Sequence, residues 1–215
     1  MDNRIESLKT KETLNQDRVE WIIKRATELI VKQGYHQTKM RQIVQACGMG
    51  SGGLYHYVGS KLGILRLILR DIAVTEVRLI ERLRDSVALL GPTDALKAAI
   101  ATYLQIGDNR QDEFIFVDRE IGNLPKGQRR PLLNAEVKVI AFFETLLKSG
   151  VEAGEFKIDD PTIVAHNIIA THHTWMSRRW FLSSRYTLEQ YTREYTNFLL
   201  NAISSKSSRA AEARE

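Results

Sequence analysis

Apolar residues recur along most of this chain at intervals of three and four positions, as in Val19, Ile22, Ile23 and Ala26. This spacing gathers apolar side chains on one face of an α-helix. No segment shows the sustained alternation of apolar and polar residues that indicates a strand, and only four prolines interrupt the chain. The sequence therefore predicts an all-α fold of about nine helices, in which a small three-helix N-terminal unit precedes a larger helical bundle.

Capping and breaking residues predict where these helices begin and end. Asp17 with a carboxylate three residues later resembles a capping box, and Gly34 is a typical helix stop, so the first helix is expected from about Asp17 to Gln33. Thr38 and Ser60 are expected to cap the second helix and a long fourth helix. The other helices are expected at about 51–58, 94–107, 110–122, 127–153, 160–182 and 188–203.

Composition places the chain among globular proteins. Of its 215 residues, 43% are hydrophobic and 27% are charged, which provides enough apolar material for a core. The single cysteine, Cys47, excludes an internal disulfide. The N-terminus lacks the apolar core of a signal peptide, and no run of about 18 apolar residues occurs. We therefore expect a cytoplasmic protein that does not enter a membrane.

Charge is unevenly distributed along the sequence. The formal net charge is +5, and the segment from residue 29 to residue 61 contains no carboxylate. Its cations are Lys32, Lys39, Arg41 and Lys61. A cationic surface without acids attracts polyanions, and a nucleic-acid backbone is the commonest of these. An ordinary solvated charged face is the alternative explanation.

The segment GMGSGGLYHYVGSK, residues 48–61, contains a literal G-x-G-x-x-G at Gly48, Gly50 and Gly53. This pattern binds dinucleotides where its glycines follow a strand and begin a long helix. Here the preceding MRQIVQAC has helical spacing, and only about two turns of helix follow before Gly59. The context argues against a nucleotide site, and no cofactor is expected.

Two short helices joined by a glycine-containing turn, after a supporting helix, are instead the parts of a helix-turn-helix. In that motif the second short helix lies in the major groove of DNA. Small residues let the backbone approach bases and phosphates, while hydroxyls, imidazole and ammonium groups bind them. The small residues here are Ser51, Gly52 and Gly53, the aromatic ones are Tyr55, His56 and Tyr57, and the cation is Lys61.

The segment GYHQTKMRQIVQACGMGSGGLYHYVGSKLGIL resembles the N-terminal domain of the TetR family of bacterial transcriptional regulators. The resemblance rests on Gly34-Tyr35, Thr38, Ile43, Gly48, Gly52, Leu54-Tyr55, Tyr57 and Ser60-Lys61. It implies a DNA-binding regulator, not an enzyme, in which the bases are contacted by Arg41, Ser51, Gly52 and Tyr55. It implies phosphate contacts from Thr38, Gly53, His56, Tyr57 and Lys61, and Lys39 belongs to the same cationic surface.

Glycines depart from the family pattern at three positions. Gly50 stands where a serine often caps the recognition helix, and Gly59 and Gly63 stand where charged residues are common. A glycine inside a helix costs about 0.8–1 kcal/mol relative to alanine. We therefore expect the third helix to be loose without DNA.

The chain is expected to divide into a flexible extension at 1–16, the helix-turn-helix domain at 17–62, a ligand-binding and dimerisation domain at 63–203, and a flexible tail at 204–215. TetR-like regulators usually hold a small ligand between the long fourth helix and the bundle. The segment from His172 to Tyr191 resembles the C-terminal part of TetR-like regulators of lipid and fatty-acid metabolism. We expect a repressor that a small apolar effector, such as a fatty acyl-CoA or a related lipid, releases from a palindromic operator.

Two groups of residues follow from that expectation. An effector site would use apolar walls with one or two polar anchors, here Tyr103, Phe116, Phe142, Phe143, Leu146 and Trp175 with Arg119 and His172. A homodimer would use the apolar stripes of the last two helices, here Val164, Ala165, Ile168, Ile169 and Met176 with Tyr191, Tyr195, Phe198 and Leu199. Packing within one chain is the alternative use of both groups.

A metal-binding or enzymatic helical bundle using Asp159, His166 and His172 is the alternative function. The histidines are badly spaced for one ion, since residues 166 and 173 lie two helical turns apart and neighbours at 172 and 173 diverge by about 100°. No nucleophile elbow, P-loop or paired carboxylates in a recognisable setting occur in the sequence. No metal site is expected.

Overall fold

A computed structural model describes the backbone of residues 2–205 and the side chains of residues 15–205. Over this range the chain forms nine α-helices and two short 3₁₀ turns, at Ile121–Asn123 and Lys126–Gln128. The helices are α1 (Asp2–Gln33), α2 (Met40–Cys47), α3 (Ser51–Val58), α4 (Lys61–Val87), α5 (Pro92–Asn109), α6 (Gln111–Glu120), α7 (Arg130–Glu152), α8 (Pro161–Leu182) and α9 (Leu188–Ile203). The predicted all-α fold is confirmed.

The first helix is longer than the sequence pattern predicted. It begins at Asp2, so the predicted start near Asp17 is wrong, and residues 2–16 are the first part of the helix rather than a separate extension. The reason is local propensity, because residues 2–16 contain neither glycine nor proline and nothing there ends a helix. Most of the predicted tail, residues 206–215, lies outside the described residues.

The predicted caps have mixed outcomes. Ser60 caps α4 as expected, because its Oγ accepts a hydrogen bond of 3.0 Å from the N–H of Gly63. Thr38 does not cap α2, whose N-cap is Lys39. The Thr38 hydroxyl instead donates to the Gly34 carbonyl oxygen at 2.8 Å. The backbone N–H of Lys39 donates to Gln42 Oε1 at 2.7 Å, which satisfies one donor at the start of the helix.

The chain forms two compact units. The first consists of Met1–Ile72 with Phe116–Arg129, and the second consists of Ala73–Ile115 with Arg130–Glu215. Helices α4 and α6 each contribute one part to each unit. In the second unit α5 contacts α7, α8 and α9, and α7 also contacts α8. No helix in the described part of the chain is long and apolar enough to cross a membrane.

Candidate functional site

Side chains of α1 hold the end of α2 in place. The indole Nε1 of Trp21 donates to the Cys47 carbonyl oxygen at 3.1 Å, and the guanidinium Nε of Arg25 donates to the Ala46 carbonyl oxygen at 3.2 Å. The last carbonyls of a helix lack partners within the helix, so these donors satisfy groups that would otherwise need water. The two bonds fix α2 against α1 just before the turn that leads into α3.

Helix α3 has one buried face and one exposed face. Leu54 and Val58, four residues apart, are 0% and 5% exposed and anchor the helix in the core of the first unit. The opposite face presents small and polar residues to solvent, namely Ser51, Gly52, Gly53, Tyr55 and His56. Lys39 and Arg41 are exposed near the start of α2. The arrangement is that of a helix-turn-helix whose second short helix is free to enter a groove.

Two of the unusual glycines have structural explanations. Gly59 ends α3 with a φ of +66°, a conformation that favours glycine, and its N–H donates to the Tyr55 carbonyl oxygen at 2.8 Å. At Gly63 a Cβ atom would lie 1.9 Å from the Val58 carbonyl oxygen, so no larger residue fits. Gly52 has open space where its Cβ would be, which leaves its backbone accessible to a partner.

The residues predicted to contact phosphates differ in accessibility. Gly53 and His56 are exposed, whereas the Tyr57 hydroxyl donates to Asn15 Oδ1 at 3.3 Å. The Lys61 ammonium donates to the His36 carbonyl oxygen at 3.1 Å and lies 4.5 Å from the centre of the Tyr35 ring. These contacts fix the Tyr57 side chain of α3 and the Lys61 side chain at the start of α4.

Thr38 requires a correction. It is 1% exposed and its hydroxyl is already bonded to Gly34, so it shapes the loop before α2 and does not present a surface for phosphate. The resemblance to the TetR family placed it at the interface by its position in the motif, and its burial could not be read from that match.

Most of the predicted effector-site residues meet in the core of the second unit. Tyr103, Phe142, Phe143 and Trp175 belong to one apolar cluster, and Leu146 packs against it. The imidazole of His172 stacks on the Tyr103 ring with 4.1 Å between ring centres. The Trp175 indole donates to Asp108 Oδ1 at 2.8 Å, and the Arg179 guanidinium lies 3.3 Å from the same carboxylate oxygen.

Phe116 and Arg119 are not part of this cluster. Both belong to the first compact unit, where Phe116 is 1% exposed. The Arg119 guanidinium donates to Glu120 Oε1 at 2.9 Å. The structure therefore does not bring these two residues together with the others in one cluster, because the chain passes from the second unit to the first within α6. Their role in an effector site stays a prediction.

The predicted dimer residues divide into core and surface. Five of them are at most 4% exposed and pack in the core of their own chain: Ala165, Ile168, Ile169, Met176 and Leu199. Val164, Tyr191 and Tyr195 are partly buried against the same core, and only Phe198 of the predicted set is exposed, at 68%. Ile163, which the prediction omitted, is 67% exposed.

The residues of the alternative metal or catalytic bundle do not converge. His166 is exposed and His172 is buried on the same helix. Within the part of the chain that the structure describes, no group of three or more His, Cys, Asp or Glu residues could hold a metal ion.

Two residues that the sequence analysis omitted lie beside the effector cluster. Glu76 of α4 is partly buried, and burial is the main cause that raises its pKa. It lies four residues from both Ile72 and Ile80, on the face of the helix where the pattern calls for an apolar residue. A carboxylate on that apolar face could have been recognised as unusual from the sequence. Gly107 of α5 could also have been recognised from the sequence, because a glycine inside a helix usually has a packing reason.

The fold and the exposed face of α3 define a class of protein, a DNA-binding regulator with a helix-turn-helix unit and a helical C-terminal bundle. Comparison with protein families agrees with this assignment. Residues 22–68 match the model described as bacterial regulatory proteins, tetR family, and residues 90–203 match the tetracyclin repressor-like C-terminal domain. The chain belongs to the TetR family of transcriptional regulators.

Individual relatives are distant but match most of the chain. The HTH-type transcriptional regulator HbdR of Aromatoleum sp. (strain CIB) is 24% identical over 210 residues, which cover 98% of this chain and 91% of HbdR. The structure of AibR in complex with isovaleryl coenzyme A and operator DNA has a TM-score of 0.69 at 24% identity, covering 85% of this chain and 98% of AibR. FadR from Bacillus subtilis in complex with stearoyl-CoA has a TM-score of 0.69 at 20% identity, covering 84% and 97%.

Proposed function

We propose that the protein is a repressor that binds a palindromic operator as a homodimer and leaves it when a fatty acyl-CoA or a related lipid binds to the C-terminal bundle. The observation that carries the DNA-binding part is the exposed face of α3, with the cations of the preceding segment beside it. Arg41, Ser51, Gly52 and Tyr55 contact bases in this proposal. Gly53, His56, Tyr57 and Lys61 contact phosphates, and Lys39 adds to the local positive potential.

The homodimer uses the exposed faces of α8 and α9. The Tyr195 hydroxyl donates to Asn167 Oδ1 at 3.0 Å, and the Tyr191 hydroxyl donates to the Thr171 carbonyl oxygen at 3.3 Å, so side chains of α9 connect it to α8 in an antiparallel register. In this antiparallel register the exposed Phe198 lies at the level of Ile163. A twofold mate that covers these two side chains would remove apolar surface from water.

Small side chains continue this face along α8. The Thr174 hydroxyl donates to the Ala170 carbonyl oxygen at 2.9 Å, and the Ser177 hydroxyl donates to the His173 carbonyl oxygen at 2.8 Å. Because these hydroxyls are satisfied within their own helix, they can be covered by a partner without losing a hydrogen bond. A second helix can therefore approach α8 closely.

The effector part of the proposal is supported by the aromatic core of the second unit and by what the related structures contain. AibR and FadR were determined with acyl-CoA ligands, and AibR also with operator DNA. An effector that lowers operator affinity tenfold must favour the DNA-incompetent state by about 1.4 kcal/mol.

The test begins with selection of duplexes that bind the purified protein from a random pool. Enrichment of a palindrome with half-sites about one helical turn apart, or a multiple of that, is the expected result. Acyl-CoAs of increasing chain length are then titrated into the protein–operator complex, with free coenzyme A as the control. Failure to enrich any duplex contradicts the DNA-binding proposal, and undiminished DNA binding at saturating acyl-CoA contradicts the effector proposal.

A further inference from the structure

His172 is a buried polar side chain without partners in the core of the second unit. It is 6% exposed, and among the residues that the structure describes neither Nδ1 nor Nε2 has a hydrogen-bond partner. Buried polar groups in native proteins are nearly always paired, so an unpaired one requires an explanation. A polar atom of a ligand is the partner that the proposed function supplies.

Packing alone holds this imidazole in position. It stacks on Tyr103 with an angle of 21° between the rings, and it meets the Phe114 ring edge-on at 6.0 Å between centres. At Gly107 of α5 a Cβ atom would lie 2.0 Å from His172 Nε2, so only glycine leaves room for the ring. The chain therefore keeps a glycine inside a helix beside a side chain that forms no hydrogen bond.

The imidazole is uncharged at neutral pH. Burial, and to a smaller degree the charge of His173, lowers the pKa of His172 to about 3. A neutral imidazole has one N–H donor and one nitrogen acceptor. It can donate to a carbonyl oxygen, or exchange hydrogen bonds with a hydroxyl group, without the need to bury a charge.

A buried charge is unfavourable beside His172. Burial raises the pKa of Tyr103 well above its usual value, and the charges of Glu76 on α4 and Glu136 on α7 raise it further. The guanidinium of Arg110 pairs with Glu113, and its charge also lowers the pKa of Glu76, so it offsets part of this negative charge. A ligand carboxylate beside Tyr103 and His172 would lose its hydration next to an uncharged imidazole, which is unfavourable.

We propose that His172 recognises a hydroxyl group on the acyl chain of the effector. The proposal rests on the proposed function, in which the effector binds within the C-terminal bundle. Both imidazole nitrogens are enclosed, so an oxygen reaches them only when the ring moves away from Gly107. Recognition is thereby linked to a change in the packing of α8 against α5.

The experiment compares ligands of equal length by calorimetric titration. Octanoyl-CoA is the reference, the 3-, 5- and 8-hydroxyoctanoyl-CoAs supply a hydroxyl at different depths, and octanedioyl-CoA supplies a carboxylate. At least one hydroxy compound should bind the wild-type protein about tenfold more tightly than octanoyl-CoA, since it pairs a group that is otherwise left buried and unpaired. Octanedioyl-CoA should bind at least about tenfold more weakly than octanoyl-CoA, because its carboxylate would be buried without a counter-charge.

His172→Phe is the informative variant because it keeps a ring beside Tyr103 and removes both nitrogens. It should abolish the preference for the hydroxy compound. Its melting temperature without ligand should equal or exceed that of the wild type, because two unpaired polar atoms are gone. Thr196→Val is the matched control, since Thr196 is 7% exposed and its Oγ1 is also without a partner among the described residues. The Thr196→Val variant should still bind the hydroxy compound more tightly than octanoyl-CoA.

The outcomes separate this proposal from the proposed function. If octanoyl-CoA releases DNA but no hydroxy compound is preferred, the proposal for His172 is overturned and the effector class stands. If no CoA thioester binds, the effector class fails, and 1-octanol and octanoate test His172 through shifts in melting temperature. The alcohol should then stabilise the wild type and not His172→Phe, with no effect of octanoate. Lack of that difference, or a lower melting temperature of His172→Phe, overturns the proposal.

Discussion

The buried carboxylate of Glu120 on α6 accepts a hydrogen bond of 3.4 Å from the backbone N–H of Tyr35, 85 positions earlier in the chain. Arg119 Nε donates to the same oxygen at 2.9 Å, and Asn123 Nδ2 donates to the other oxygen at 2.7 Å. A second link joins the same segments, since His36 Nε2 lies 3.0 Å from Asn123 Oδ1. The end of α6 therefore holds the loop between α1 and α2 within the first unit.

Replacement of Glu120 should weaken the first unit and its binding to DNA. Glu120→Ala leaves the Tyr35 N–H and the Asn123 amide without their acceptor, which should lower the free energy of unfolding by about 1–3 kcal/mol. Operator affinity should fall as well, because the Tyr35 ring supports Lys61 beside α3. Denaturant unfolding and fluorescence anisotropy measure the two effects. Asp118→Ala, at an exposed position of the same helix, is the control, and equal stability of the two variants would contradict the assignment.

Local patterns predicted the DNA-binding helices because they need only neighbouring residues. Leu54 and Val58 are four positions apart, so their spacing alone identified the buried face of α3 and hence its exposed face. The pairing of Glu120 with Tyr35 could not be predicted in this way. Nothing in the local sequence of either residue specifies a partner at that distance.

The dimer face shows why apolar spacing alone is ambiguous. Residues such as Ile168 and Met176 have the spacing expected of an interface, but the core of their own chain already uses that stripe. The structure was needed to separate the exposed Phe198 from the buried members of the predicted set and to add the exposed Ile163. A periodic pattern identifies the apolar side of a helix and does not say which partner covers it.

Tyr55 should contribute to sequence recognition. Its side chain is 45% exposed on the free face of α3. Tyr55→Ala should weaken binding to the selected operator by about 1–3 kcal/mol and weaken nonspecific binding much less. Anisotropy with operator and scrambled duplexes measures the difference. Tyr186→Ala serves as the control, because Tyr186 is similarly exposed at 43% in the second unit. Equal losses on both duplexes would show that α3 does not read bases through this residue.

Lys61 should contribute to phosphate binding whatever the DNA sequence. Lys61→Ala should weaken operator and scrambled duplexes alike and reduce the slope of log K against log salt by about 0.9, the value for one phosphate contact. The substitution also removes the contact with the His36 carbonyl, so the melting temperature must be compared at the same time. Lys148→Ala is the control, since that lysine pairs with Glu144 in the second unit. An unchanged salt slope would place Lys61 outside the DNA interface.

Substitution at the exposed face of α8 and α9 should separate the protomers. Phe198→Arg and Ile163→Asp each place a charge where the proposed mate would pack, and burial of an unpaired charge is strongly unfavourable. Light scattering at micromolar concentration should show a dimer for the wild type and a monomer for either variant. Val137→Asp alters a residue that is 60% exposed on α7 and should leave the dimer intact. A wild-type monomer, or dimers of both interface variants, would rule out this face.

Acid should destabilise the protein partly through His172. Its pKa is lowered to about 3 in the folded state, against about 6.5 in an unfolded chain. Below about pH 6.5 the unfolded state therefore binds a proton that the folded state does not, and stability falls by up to about 1.4 kcal/mol per pH unit. Burial raises the pKa of Glu76 above its usual value of 4.5, so protonation of Glu76 increases stability as the pH falls. This contribution is the same in the wild type and in His172→Phe. The free energy of unfolding, measured with denaturant from pH 7 to pH 5, should decrease less for His172→Phe than for the wild type. Parallel curves would contradict the lowered pKa of His172, since they would mean that folding does not change its proton binding.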